Sequence, residues 1–172
     1  MLGSNYARLA ALAALAFTGL SSSLSAEPLP SQLAGTWRIT RVLPTHNTTC
    51  WSAEQARPLL GTTLTYRDNA MRWRGGDVPL EGITTRELTD TQFRKENTGS
   101  EGSAEFAQLG IRSHSVTEVD LQHEDADITG ATTEVPGDSI LLVGANRIVV
   151  SACGVYFEAT RAAGIVRTAA KR

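Results

Sequence analysis

Residues 139–161 read SILLVGANRIVVSACGVYFEATR, and this stretch decides the fold class. It contains three runs rich in β-branched and aromatic residues, Ser139–Val143, Arg147–Cys153 and Val155–Arg161, with only a few turn residues between them. Such runs are typical of β-strands, and connections this short join antiparallel neighbours. The stretch therefore predicts a three-stranded antiparallel meander.

The strand pattern continues toward the N-terminus. Residues 35–43 alternate, with Trp37, Ile39 and Leu43 predicted to face inward. Residues 62–74 predict a hairpin that turns at Asp68-Asn69, and further strands are predicted over residues 80–88 and 115–123. About eight strands at this length favour an all-β fold, an antiparallel calycin-like barrel, with a β-sandwich as the alternative.

Two short segments have a helical rather than a strand pattern. Ser52 is followed three residues later by Gln55, and Thr89 is followed in the same way by Gln92. This spacing is that of a capping box, in which each side chain bonds the other residue's backbone N–H. We therefore expect short helical inserts at these two places and a polar loop over residues 97–103.

The first 26 residues resemble an export signal. A single Arg8 precedes the apolar run Leu9–Leu20, and small residues follow up to Ala26. We therefore expect a signal peptide over residues 1–26, a lead-in segment over 27–34, one β-barrel domain over 35–161 and a flexible tail over 162–172. The protein is predicted to be exported, to the periplasm or to the extracellular space.

Charge and hydropathy argue against two classes of partner. The chain has 16 Lys and Arg against 18 Asp and Glu, a net charge of −2. A nucleic-acid binder needs basic groups to neutralise phosphates, so no nucleic-acid partner is expected. No apolar run after residue 26 is long enough for a transmembrane helix, so the chain is not expected to span a membrane once the signal is removed.

The chain has two cysteines, Cys50 and Cys153. An exported protein meets oxidising conditions, where two such thiols are more often bridged than free. A bridge closing a loop of roughly 100 residues stabilises the fold by about 4–5 kcal/mol in the chain-entropy model. A redox-active pair usually has two residues between its cysteines, so we expect a structural disulfide.

Gly35-Thr36-Trp37 opens the first predicted strand, and Arg161 ends the last one. This combination resembles the lipocalin and wider calycin pattern, in which a G-x-W motif sets a Trp at the closed end of an eight-stranded barrel. The resemblance implies that Arg161 covers Trp37 in a cation–π contact, which contributes about 0.5–2 kcal/mol. No second lipocalin motif follows, and no ligand is transferred from the family.

The sequence contains no motif of nucleophilic, phosphate-binding or zinc-dependent catalysis, so we assign no catalytic or metal residues and no cofactor. It favours an exported, non-enzymatic binding module that holds a small apolar or amphipathic ligand in a barrel mouth. Tyr66, Met71 and Trp73 are the predicted ligand-binding residues. The alternative is a protein-interaction or inhibitor module that makes its contacts through Asn97–Ser103 and Glu124–Asp138.

Overall fold

The computed structural model describes residues 27–45, 51–99, 102–123 and 136–162. The predicted signal peptide, Cys50, most of the 124–138 connection and nearly all of the predicted tail lie outside the described residues. Among the residues described, no helix is long and apolar enough to cross a membrane.

The described chain is mostly β-structure. Its strands are β1 (Gly35–Leu43), β2 (Thr63–Arg67), β3 (Ala70–Trp73), β4 (Gly76–Pro79), β5 (Gly82–Thr89), β6 (Thr98–Gly99), β7 (Gly102–Ser103), β8 (Ser115–Gln122), β9 (Ser139–Gly144), β10 (Arg147–Ala152) and β11 (Val155–Arg161). The helices are α1 (Ala53–Ala56), which continues as a 3-10 turn over Arg57–Leu59, and α2 (Asp90–Glu96).

Nine of these strands form one antiparallel sheet in the order β4-β3-β2-β1-β11-β10-β9-β8-β5, which curls into a half-barrel. The predicted all-β, antiparallel, barrel-like fold with short helical inserts is therefore confirmed. The first and last strands of this sheet along the chain, β1 and β11, pair in its middle. Its two edges, β4 and β5, are separated by only Leu80 and Glu81.

The sheet has one strand more than the predicted eight, because the hairpin does not end at Gly75. The turn residues Arg74 and Gly75 have positive φ angles of 48° and 84°, and Trp73 pairs with Gly76 across them. Two residues with positive φ give a turn whose twist matches that of the flanking strands. The chain therefore reverses there, and β4 adds to the sheet edge.

The concave face of the sheet encloses the main core. Trp37, Ile39, Phe157 and Ile148 are all fully buried there. The lead-in segment closes one end, since Leu33 is fully buried in the same core and the Glu27 backbone N–H donates to the Ile83 carbonyl. Residues 27–34 thus cross from the edge strand β5 to β1 and are part of the packed structure.

A β-bulge in β1 changes which residues of that strand face inward. Ile39 pairs with Ala159 but Arg41 pairs with Glu158, so Thr40 is the additional residue. A bulge shifts the alternation by one position. Leu43 consequently lies in the outer core, so its predicted inward orientation is wrong.

That outer core covers the convex face of β8–β11. Phe93 of α2 and Phe106 pack there against Val149 and Tyr156, and the Phe93 and Phe106 ring centroids are 5.2 Å apart. Thr89 is the N-cap of α2, and its hydroxyl accepts from the Gln92 backbone N–H in the predicted capping box. The outward face of β8 is partly covered as well, and Glu118 is only 8% exposed.

Candidate functional site

The end of the half-barrel that holds Trp37 is closed by Arg161. The Arg161 guanidinium lies 4.2 Å from the centroid of the Trp37 ring, and the indole Nε1 donates to the Leu33 carbonyl at 2.7 Å. Gly35 is needed for this approach because its φ is 116° and a Cβ there would lie 2.9 Å from Arg161 Nη1. The contact that the G-x-W resemblance implied is thus present.

Arg161 also joins separate parts of the chain. Its three guanidinium nitrogens donate to the carbonyls of Ala34, Gln32 and Ala145 at 2.8, 2.6 and 3.1 Å. Two of these carbonyls belong to the lead-in segment and the third to the turn between β9 and β10. We call Trp37, Arg161 and Leu33 the closed end, whose role is structural.

Cys153 lies in the turn between β10 and β11, with a positive φ of 49°. Its predicted partner, Cys50, is outside the described residues, so the disulfide stays a prediction. The backbone N–H of Trp51, the residue after Cys50, donates to the Cys153 carbonyl at 3.4 Å. This contact brings Trp51 to the turn that carries Cys153.

The three predicted ligand-binding residues lie together in the inner core. Tyr66, Met71 and Trp73 are each at most 1% exposed. The Tyr66 hydroxyl donates to the Gly137 carbonyl at 3.2 Å, and burial, helped by the charge of Asp138, raises the pKa of this phenol. These side chains fill the half-barrel, and their predicted role in binding stays a prediction.

Trp73 differs from its neighbours in one respect. Its indole Nε1 is buried and has no hydrogen-bond partner among the described residues. A buried donor without an acceptor costs about 1–3 kcal/mol. A ligand atom that brought an acceptor into the interior would satisfy this donor.

A cleft opens at the other end of strands β1 and β11, away from the closed end. We call it the mouth cleft, and its volume is about 390 Å³. Its lining is mainly apolar with two arginines, and it consists of Thr40–Thr45, Arg57, Leu60 and Val155. A cleft of this size and composition is typical of sites for small ligands rather than of protein interfaces.

Two residues give the mouth cleft its chemical character. Leu60 is 41% exposed and is the one large apolar side chain that is exposed in the described part of the chain. Arg57 is also exposed, and no described acidic residue forms an ion pair with it, whereas Arg41 pairs with Glu158 at 2.9 Å. The cleft therefore combines an apolar surface with an available positive charge.

Sequence reasoning did not single out the mouth cleft. Leu60 follows the short helical insert, and Val155 starts the last strand, so nothing along the chain indicates that they meet. The usable signal is local: Leu60 is a large apolar residue directly before Gly61, at the end of a capped helical segment too short to bury it.

No group of three or more potential metal ligands occurs within the ranges that the structure describes. Comparisons of the chain with protein-family models, with curated proteins and with solved structures give no match.

Proposed function

We propose that this protein is an exported, non-enzymatic binding module whose mouth cleft takes a small amphipathic anion. The ligand's apolar part packs on Leu60, Val42 and Val155, and its anionic group lies beside Arg57. The observation that carries the proposal is the exposed Leu60 beside Arg57, an arginine without an ion pair among the described residues, in an apolar cleft of ligand size.

Export is part of this proposal. It is supported by the signal-like residues 1–26 and by the presence of two cysteines. The backbone of Trp51, the residue after Cys50, contacts the turn that carries Cys153. A periplasmic or extracellular protein would keep the predicted disulfide. We also propose that the half-barrel is calycin-like. The Trp37–Arg161 contact at the closed end supports this, and a binding site at the opposite end agrees with such an architecture.

The test uses octanoate as the probe and octylammonium as its cationic counterpart, measured by isothermal titration calorimetry on the chain from residue 27. We expect octanoate to bind and octylammonium to bind far more weakly. Leu60→Asp should weaken octanoate binding by roughly tenfold, because it removes one apolar contact and adds a like charge. Arg57→Glu should weaken it by at least about threefold.

Arg67→Glu is the matched control. Arg67 is an exposed arginine of β2 that does not line the cleft, so this variant makes the same charge change and should bind octanoate as the parent does. Equal octanoate binding by the parent and by both cleft variants, or no binding by the parent, would show the proposal to be wrong.

The inner core is the second candidate location, favoured by the unpaired Trp73 Nε1. Trp73→Phe removes that donor and keeps an aromatic ring. If ligand binding weakens in Trp73→Phe but not in Leu60→Asp, the ligand enters the half-barrel. If the reverse holds, it occupies the mouth cleft as proposed.

A further inference from the structure

A second cavity lies on the convex face of the sheet, beside α2. We call it the outer pocket, and its volume is about 250 Å³. Its polar and aromatic lining consists of Phe93, Asn97, Glu118, Ser139, Ser151 and Tyr156. These residues come from one helix end and four different strands, so the fold rather than one loop assembles the pocket.

The pairing register explains why the polar groups meet. Ser151 pairs with Tyr156 between β10 and β11, and Ser139 lies on the neighbouring β9. All three face outward, next to the apolar patch on which Phe93 packs. A row of hydroxyl groups therefore runs along the border of the outer core.

The carboxylate of Glu118 is the charged group of the pocket. Its Oε2 accepts from Arg86 Nε, whereas the closest hydrogen-bonding group to its Oε1 in the described structure is the Ser139 hydroxyl, at 3.5 Å. Arg86 is shared, because its two terminal nitrogens donate to Glu96 at 3.0 and 2.5 Å. The single positive charge of Arg86 thus pairs with the carboxylates of Glu118 and Glu96, so these three side chains together carry a net charge of −1.

The surroundings make this excess of negative charge unfavourable unless a further cation lies beside it. Burial raises the pKa of the Glu118 carboxyl, and the charges of Asp120 and Glu96 raise it further despite the Arg86 hydrogen bond and charge. Burial also raises the pKa of Tyr156, as does the charge of Glu118. Tyr156 therefore stays a neutral phenol, and it donates to Asn97 Oδ1 at 2.6 Å.

Two groups of the pocket can accept hydrogen bonds from a ligand. Within the described residues the Ser151 hydroxyl has no hydrogen-bond partner, and Glu118 Oε1 can accept a shorter bond than the one from Ser139. The rings of Phe93 and Tyr156, with centroids 5.6 Å apart, form an aromatic wall. Aromatic faces attract cations, and a carboxylate binds ammonium groups through charge-assisted hydrogen bonds.

We propose that the outer pocket binds a small organic ammonium ion, with its N–H groups bonded to Glu118 Oε1 and to the hydroxyls of Ser139 and Ser151. The pocket is too small, and too enclosed by α2, for a partner protein to dock in it. It is also independent of the mouth cleft, which has an apolar lining and a positive charge.

The test uses ethanolammonium as the probe and ethylene glycol as a neutral molecule of similar size. Binding is followed by shifts of backbone amide resonances in NMR spectra and by calorimetry. We expect ethanolammonium to shift the resonances of residues 139, 151 and 156, with a dissociation constant below about 10 mM. Ethylene glycol should leave them unchanged.

Glu118→Gln should weaken ethanolammonium binding at least tenfold, and Ser151→Ala should weaken it severalfold. Glu81→Gln, at an exposed acidic residue outside the pocket, is the control and should bind like the parent. If Glu118→Gln fails to fold, Ser151→Ala and the ethylene glycol comparison still decide the proposal.

Three results would overturn the proposal. These are equal shifts with ethylene glycol, unchanged binding in both pocket variants, or no shift in the pocket with ethanolammonium. Leu60→Asp should leave ethanolammonium binding intact, so failure at one site is distinguishable from failure at the other.

Discussion

Arg161, at the end of β11, connects the start of the described chain to the turn between β9 and β10. It donates to two carbonyls of the lead-in segment and one of the β9–β10 turn, and it covers the Trp37 ring. Hydrogen bonds from a charged group and a cation–π contact act together here. The stability of the closed end therefore depends strongly on the Arg161 side chain, although this side chain is only partly buried.

Replacement of Arg161 should be costly for this reason. We expect Arg161→Ala to lower the free energy of unfolding by about 2–4 kcal/mol. The free energy of unfolding of Arg161→Lys should lie between those of the parent and of Arg161→Ala. An ammonium group keeps the charge but cannot donate to three carbonyls in one plane. Arg67→Ala is the control, with an expected change within about 0.5 kcal/mol. Urea denaturation followed by circular dichroism measures all four proteins, and an Arg161→Ala value close to that of Arg67→Ala would contradict the argument.

At the residue scale, the Trp37–Arg161 contact was predicted through the resemblance, which rests on the G-x-W motif and on an Arg at the end of the last predicted strand. The polar pocket residues were not predictable in the same way. Ser139 and Ser151 stand inside strongly apolar strands, where each is simply the outward residue of an alternating run. Only the three-dimensional pairing shows that both border the same cavity as Glu118.

Among the elements, β1, β10 and β11 are joined on their outer face by Glu158. Its carboxylate accepts from Arg41 of β1 at 2.9 Å and from Arg147 of β10 at 2.8 Å. Burial alone would raise the pKa of Glu158, but the hydrogen bonds and charges of Arg147 and Arg41 outweigh it and hold this pKa below its ordinary value of 4.5.

This lowered pKa predicts how stability depends on pH. Below pH 4.5 the unfolded chain takes up a proton at Glu158 before the folded protein does, so the contribution of Glu158 falls as the pH falls toward its folded pKa. We expect Glu158→Gln to lower the free energy of unfolding at pH 7 by about 1–3 kcal/mol. We also expect the free energy of unfolding of this variant to fall less between neutral and acidic pH than that of the parent.

Urea denaturation at a series of pH values measures this effect. Glu54→Gln, at an exposed glutamate of α1, is the control and should keep the acid dependence of the parent. A Glu158→Gln protein with the same pH dependence as the parent would show that this carboxylate does not link the strands as described.

The elements differ in how far the sequence specified them. Both capping boxes formed as predicted, because their partners lie within one turn of each other. Strand β4 was not predicted, because Gly75-Gly76-Asp77 resembles the end of a hairpin. In the structure Gly75 belongs to a tight turn, and Gly76 and Asp77 begin β4. The burial of Glu118 could not be predicted from the sequence, because α2, which covers it, lies more than twenty residues away along the chain.

At the scale of the whole molecule, the sheet order suggests where the chain can be cut. Only the Leu80-Glu81 link joins the edge strands β4 and β5, and its two N–H groups bond Asn69 and Gln122, on either side of the cut. These bonds can persist when the link is opened. Loop tips at sheet edges also tolerate new termini better than connections in the centre.

We therefore expect a circular permutant that starts at Glu81 and ends at Leu80, with a flexible linker from residue 162 to residue 27, to fold into the same sheet. Its strands would follow the sheet order, so its contacts would be more local and its refolding faster. Stopped-flow fluorescence and circular dichroism measure both properties. The comparison is a permutant opened between Ala145 and Asn146, inside the β9–β10 hairpin. If the permutant opened at Leu80-Glu81 were less stable than this one, the expectation would be contradicted.

The pairing of β1 with β11 has a consequence for how the native chain is assembled. Strands β1–β4 form one antiparallel group, and β5 with β8–β11 forms another. The two groups pair through β1 and β11, so this pairing requires that β11, the last strand described, has been synthesised. Until then the N-terminal group has an uncovered apolar face and an open edge. A chaperone that holds the emerging chain should therefore act on residues 35–79, and release should coincide with the arrival of Val155–Arg161.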